Sequence, residues 1–123
     1  MAYRKSVKIN LSGLYQALEN DSAIFFYDKL NLKSIDFKNT FDQLAYGAKG
    51  FHCVYIDVNK YLNGIISSGV GESALGQPIS DVFFDDRAPV LILVKRNGES
   101  GFVMRHLALS ALRSDVEHFF QFG

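Results

Sequence analysis

The side chains able to do chemistry in this sequence are few and scattered. Cys53 is its single cysteine, which excludes an intramolecular disulfide, a CxxC dithiol and a four-cysteine zinc site. Dithiol–disulfide exchange needs a nucleophilic thiolate and a second, resolving thiol, so composition alone removes that activity. Cys53 lies in the run Phe51-His52-Cys53-Val54-Tyr55, where a small buried hydrophobe is the expected role. His52, His106 and His118 fall on three separate segments, with no HxH or HExxH spacing to gather them on a metal ion. Asp85-Asp86-Arg87 could join a metal site or a partner contact, but a solvated turn with Arg87 paired locally is the simpler expectation. Gly69-Val70-Gly71-Glu72-Ser73 lacks the lysine of a phosphate loop and joins no clear strand to a helix. There is no GxSxG elbow, and the sequence identifies no base beside Ser34 that would make it a nucleophile. No catalytic residue, metal or cofactor is expected on these grounds.

The aromatic residues Phe25, Phe26, Tyr27, Phe37 and Phe41 have the chemistry to stack on single-stranded nucleic acid. Their spacing places them in a core first, and the charge balance supplies no basic groove to accompany them. The chain has 123 residues, 13 Lys+Arg against 13 Asp+Glu, and a net charge of zero. That balance argues against nucleic acid and anionic membrane as partners and leaves little repulsion to oppose self-association. With 48% hydrophobic residues, 11 Phe and 6 Tyr, the chain can build one globular core, and residues 1–123 are expected to form a single domain. Residues 1–8 carry Arg4, Lys5 and Lys8 without the apolar run of an export signal. The densest apolar stretch, 88–94, is far shorter than the ~20 residues of a membrane span. A free cysteine without an export signal fits a reducing cytoplasm.

The elements that must position these residues follow from periodicity. Residues 10–20 have Leu11, Leu14, Tyr15 and Leu18 on one helical stripe, with Asn10 or Ser12 as the cap. Residues 23–27 (AIFFY) read as a buried strand. Residues 28–39 show no clean period, and a helix is expected over 40–48 with Phe41, Leu44 and Ala45 inward. Residues 51–58 form a second strand, with Cys53 and Tyr55 on one face and Val54 and Ile56 on the other. A helix over 60–68 is followed by an excursion over 69–80 and a short extra strand at 82–84. Residues 90–94 (VLILV) form the most apolar strand, expected at the sheet centre. Asn97-Gly98 is a strong hairpin signal, returning the chain as an antiparallel strand over 100–107. Ser110 is expected to cap a closing helix with Leu112, Val116, Phe119 and Phe120 on one stripe. Strands alternating with helices favour parallel pairing, and the terminal hairpin is antiparallel. The result is an α/β three-layer sandwich with a mixed central sheet.

That order, together with Ala88-Pro89, the apolar run 90–94 and the Asn97-Gly98-Glu99 turn, resembles the thioredoxin fold. The stretch 87–99 is similar to that family's cis-proline, apolar strand and hairpin, and the two strands at 23–27 and 51–58 to its central parallel pair. Two departures stand out. Thioredoxins carry CxxC at the start of the helix after the first central strand, whereas the equivalent segment here is Asn31-Leu32-Lys33-Ser34. The stretch 59–88, with an insertion over roughly 60–87, is also longer than the single helix the family has there.

The resemblance implies a redox-inactive protein that works by binding, as an adaptor or chaperone-like module. Its groove would be lined by Leu30, Asn31, Leu32, Lys33, Ser34, Ala88 and Pro89, with a protein of unknown identity, or a second copy of the chain, as partner. Ile65, Ile66, Leu75, Ile79, Phe83 and Phe84 are more apolar residues than a solvated excursion needs, and either pack on their own domain or form a homodimer contact. An enzyme using non-thiol chemistry near Ser34, or Cys53 as a monothiol, is the alternative. An accessory protein of a mobile genetic element is a third.

Overall fold

A five-stranded mixed sheet in the order β1-β3-β2-β4-β5 organises the molecule. The structure is a computed structural model that describes residues 5–72, 79, 81, 89–98, 100–103 and 108–122. Its elements are β1 (Val7–Ile9), α1 (Leu11–Ala17), β2 (Ser22–Tyr27), α2 (Leu32–Tyr46), β3 (His52–Asp57), α3 (Val58–Ser67), β4 (Val90–Val94), β5 (Ser100–Val103) and α4 (Leu109–Phe122). β2 and β3 run parallel through a crossover that carries α2, with Ala23 level with Cys53 and Tyr27 with Asp57. β4 is antiparallel to β2 and to β5, and Gly98 at φ 95° makes the turn between β4 and β5 that an L side chain would resist.

The strands alternate their side chains between two cores. Ile24, Phe26, Ile56, Val90, Ile92 and Val94 pack with Leu14 of α1 and Ile65 of α3 on one face. Ala23, Phe25, Cys53, Leu91 and Leu93 pack with Phe37, Phe41 and Leu44 of α2 and with Leu112 and Val116 of α4 on the other. Phe25 is fully buried and meets Phe37 and Phe41 at ring-centroid distances of 5.2 and 5.4 Å, within the favourable range for aromatic pairs. The closing stripe on α4 is also as expected, with Phe120 stacked on Phe51 at 4.5 Å.

Four expectations change. The N-terminal residues contribute a strand: Val7, Lys8 and Ile9 pair parallel with Val54, Tyr55 and Ile56. The helix expected over 40–48 is the second half of α2, which starts at Leu32. Its inward positions Ser34, Phe37, Phe41, Leu44 and Ala45 keep a helical period whose first member is polar. The sheet centre is β2 rather than β4, because β1 adds a strand beyond β3. Ser110 lies inside α4, whose first turn is closed by the Leu112 N–H donating to the Ala108 carbonyl. The extra strand at 82–84, most of the excursion and the Ala88–Pro89 bond lie outside the described residues.

Candidate functional site

The parallel strands β1, β2 and β3 all deliver the chain to the same end of the sheet, and each is followed by a helix. Ligand sites in open α/β sheets gather at this carboxyl end. Asn10 caps α1 through its side-chain oxygen, which accepts from the Gly13 N–H at 3.0 Å. Asn31 caps α2, accepting from the Lys33 N–H at 2.9 Å. Asp57 caps α3, accepting from the Asn59 and Lys60 N–H groups at 2.9 and 3.2 Å. Each cap satisfies backbone donors that a helix start otherwise leaves unpaired.

Between β2 and α2 the chain forms a short loop held from inside. The Ser34 hydroxyl oxygen accepts from the Asp28 N–H at 2.8 Å, and Ser34 is only 2% exposed. Asp28 Oδ1 accepts from the Leu30 N–H at 2.9 Å, an Asx turn, and from the Asn59 Nδ2 amide at 2.9 Å. Within the loop the Ser34 hydroxyl points inward, while two of its apolar side chains point out. Leu30 is 79% exposed and Leu32 77%, with Lys29 and Lys33 exposed beside them.

The groove residues named from the sequence divide as follows. Leu30, Asn31, Leu32, Lys33 and Ser34 form this loop and the first turn of α2. Val90 pairs with Phe26, which places buried Pro89 level with Tyr27 at the same end of the sheet. Ala88 lies outside the described residues. Of the apolar set in and after α3, Ile65 and Ile79 are buried in the α1–α3 core and Ile66 is 39% exposed. Leu75, Phe83 and Phe84 lie outside the described residues, as do Asp85, Asp86, Arg87 and His106. The bridge from Asn59 to Asp28 escapes sequence reasoning because its partners are 31 residues apart. The Asp28-Lys29-Leu30 Asx-turn pattern is the local trace it leaves.

Cys53 has a different setting. It sits within β3, away from that loop, 7% exposed among core residues. Burial, reinforced by the nearby Asp42 carboxylate, pushes its thiol up to about 12, so it stays protonated under ordinary conditions. Asp42 is itself engaged by Lys38 Nζ at 2.8 Å and by the Ser6 hydroxyl. Lys38 also lies 4.2 Å from the Tyr55 ring centre, a cation–π contact. Among the described residues no cluster of three or more His, Cys, Asp or Glu could hold a metal ion, and no helix is long and apolar enough to cross a membrane.

No protein-family model and no curated protein matches the chain. Among solved structures it is similar to a thioredoxin mutant from Halobacterium salinarum, with a TM-score of 0.68 and 15% identity over 100% of this chain and 97% of that one. A chloroplastic thioredoxin z superposes with a TM-score of 0.68 and 13% identity over 98% of both chains. A thioredoxin from Trypanosoma brucei brucei gives 0.65 and 12% identity over 98% and 95%. The chain therefore has the thioredoxin-like fold, and it carries one cysteine and no CxxC motif.

Proposed function

We propose that this protein is a redox-inactive thioredoxin-like binding module that recognises another protein with the loop between β2 and α2. The carrying observation is the pair of leucines, Leu30 and Leu32, held 79% and 77% exposed on a loop tied by hydrogen bonds of Asp28, Asn31 and Ser34. An exposed apolar pair on a loop fixed by a rigid scaffold is the usual form of a recognition surface. Lys29 and Lys33 frame it with charge, and Pro89 lies at the same end of the sheet, level with Tyr27. Where a thiolate chemistry would need sulfur at the start of α2, Asn31 caps the helix and Ser34 ties the loop. The module works in a reducing, cytoplasmic setting, which a free buried Cys53 fits, and takes no cofactor.

The test is affinity capture on the immobilised chain, followed by calorimetry with each captured protein. Replacing Leu32→Glu and Lys33→Glu together weakens every such partner by tenfold or more, about 1.4 kcal/mol. Unchanged affinity for all of them overturns the assignment of the surface. A second copy of the chain is the competing partner, since Ile66 on α3 is 39% exposed. Light scattering over a range of concentrations separates that outcome from a monomer.

A further inference from the structure

We propose that the outer edge of β1, remote in role from the leucine loop, docks an extended acidic segment of another protein as a sixth strand of the five-stranded sheet. Three observations converge there. The first is backbone direction. The His52 N–H donates to the Asp21 carbonyl at 2.9 Å, so His52, Val54 and Ile56 turn their backbone groups toward β2, while Cys53, Tyr55 and Asp57 turn theirs toward β1. Val7 and Ile9 then bracket Tyr55 in the register, and the N–H and C=O of Lys8 between them are directed away from the sheet.

The second is shape. One cleft of about 430 Å³ is bounded by Lys5, Val7, Ala45 and Phe51, and a second of about 270 Å³ by Ile9, Gly13, Gln16 and Asn20. Both also touch His52 and Val54, so both border the β1–β3 edge. An extended chain alternates its side chains between faces, and a strand laid along β1 presents one set to each cleft. This is the geometry of strand addition, in which backbone pairing gives affinity and flanking pockets give specificity.

The third is charge. Lys5 and Lys8 are exposed on this edge, and Val7 between them is 60% exposed. Asp42, on the neighbouring α2, is engaged by Lys38 and Ser6. Lysines on an edge strand discourage pairing with a like strand, so a second copy meeting β1 to β1 sets Lys8 against Lys8. The same lysines favour a carboxylate-bearing partner. An acidic segment with alternating apolar residues satisfies all three features.

The test titrates the isotope-labelled full chain with a blocked eight-residue peptide of alternating Glu and Val, and with its Lys and Val counterpart, reading amide shifts by NMR. The Glu peptide shifts Val7, Lys8, Ile9, His52 and Gln16, and binds about tenfold or more tighter than the Lys peptide. Lys8→Pro removes the outward N–H without touching the ladder to β3 and weakens the Glu peptide about tenfold. The double variant Lys5→Glu with Lys8→Glu reverses the preference, and its binding of the Lys peptide shows that it is folded. Equal affinity for both peptides, no binding of either, or shifts confined to 28–34 would overturn the proposal. The last result would leave the leucine loop as a binding surface, so the two assignments fail separately.

Discussion

The loop that leads into α2 and the first residues of β3 place their polar side chains in opposite ways. In the loop, buried Ser34 accepts from the Asp28 N–H and Asp28 accepts from Leu30 and Asn59 at the surface, while Leu30 and Leu32 face solvent. In β3, Cys53 is buried beside Phe51 and Ala45 in one core and its thiol is held protonated. One region has the position from which a helix start could activate sulfur, and no sulfur. The other has the sulfur in a position that suppresses it. In this chain the start of α2 carries no sulfur, and the one sulfur is buried and held protonated.

The largest effect expected from this contrast is on thiol reactivity. With its pKa moved from an ordinary 9.0 to about 12, native Cys53 holds about a thousandfold less thiolate at pH 8 than the unfolded chain. Alkylation by iodoacetamide, followed by mass spectrometry, is slower in the native protein by about that factor. Equal rates would break the contrast. The same shift has a sign in stability. The thiol is protonated in both states below about 9. From there to about 12 the unfolded chain loses the proton and the native chain keeps it, so stability falls as pH rises, by at most about 1.4 kcal/mol per unit. Cys53→Ala flattens that part of the curve in urea titrations.

Next in size is Ser34→Ala, which leaves the Asp28 N–H without its acceptor at a site 2% exposed and costs about 1–3 kcal/mol in urea unfolding. Asn31→Ala removes the α2 cap for about 1 kcal/mol by the same measurement. Leu30→Ser and Leu32→Ser are the smallest: side chains this exposed change stability by about 0.5 kcal/mol or less. A clearly larger loss would mean that the leucines hold the loop rather than wait for a partner.

How much was legible in the sequence follows the same division. AIFFY, VLILV and the Asn97-Gly98 turn declared β2, β4 and the hairpin because their signals are local and strong. The first half of α2 hid because its inward position is Ser34 while Leu32 and Ile35 face out, an inversion of the pattern that hydrophobic periodicity looks for. β1 hid because Val7-Lys8-Ile9 is three residues long and becomes a strand only by pairing with β3, a tertiary effect. The loop residues 30–34 were named from the resemblance, but their exposure, and the tie from Asn59 to Asp28, needed coordinates. Ile65 illustrates the limit from the other side: an apolar residue on an amphipathic helix, it is fully buried where Ile66 is exposed, and composition does not distinguish the two.

The proposed binding resides in the leucine loop and owes nothing to the thiol. Parallel affinity capture with the native chain, with Cys53→Ala and with the Leu32→Glu, Lys33→Glu double variant tests it in one comparison. Cys53→Ala is expected to retain the full set of partners and the double variant to lose them. Loss of the partners with Cys53→Ala, and their retention by the double variant, would contradict it.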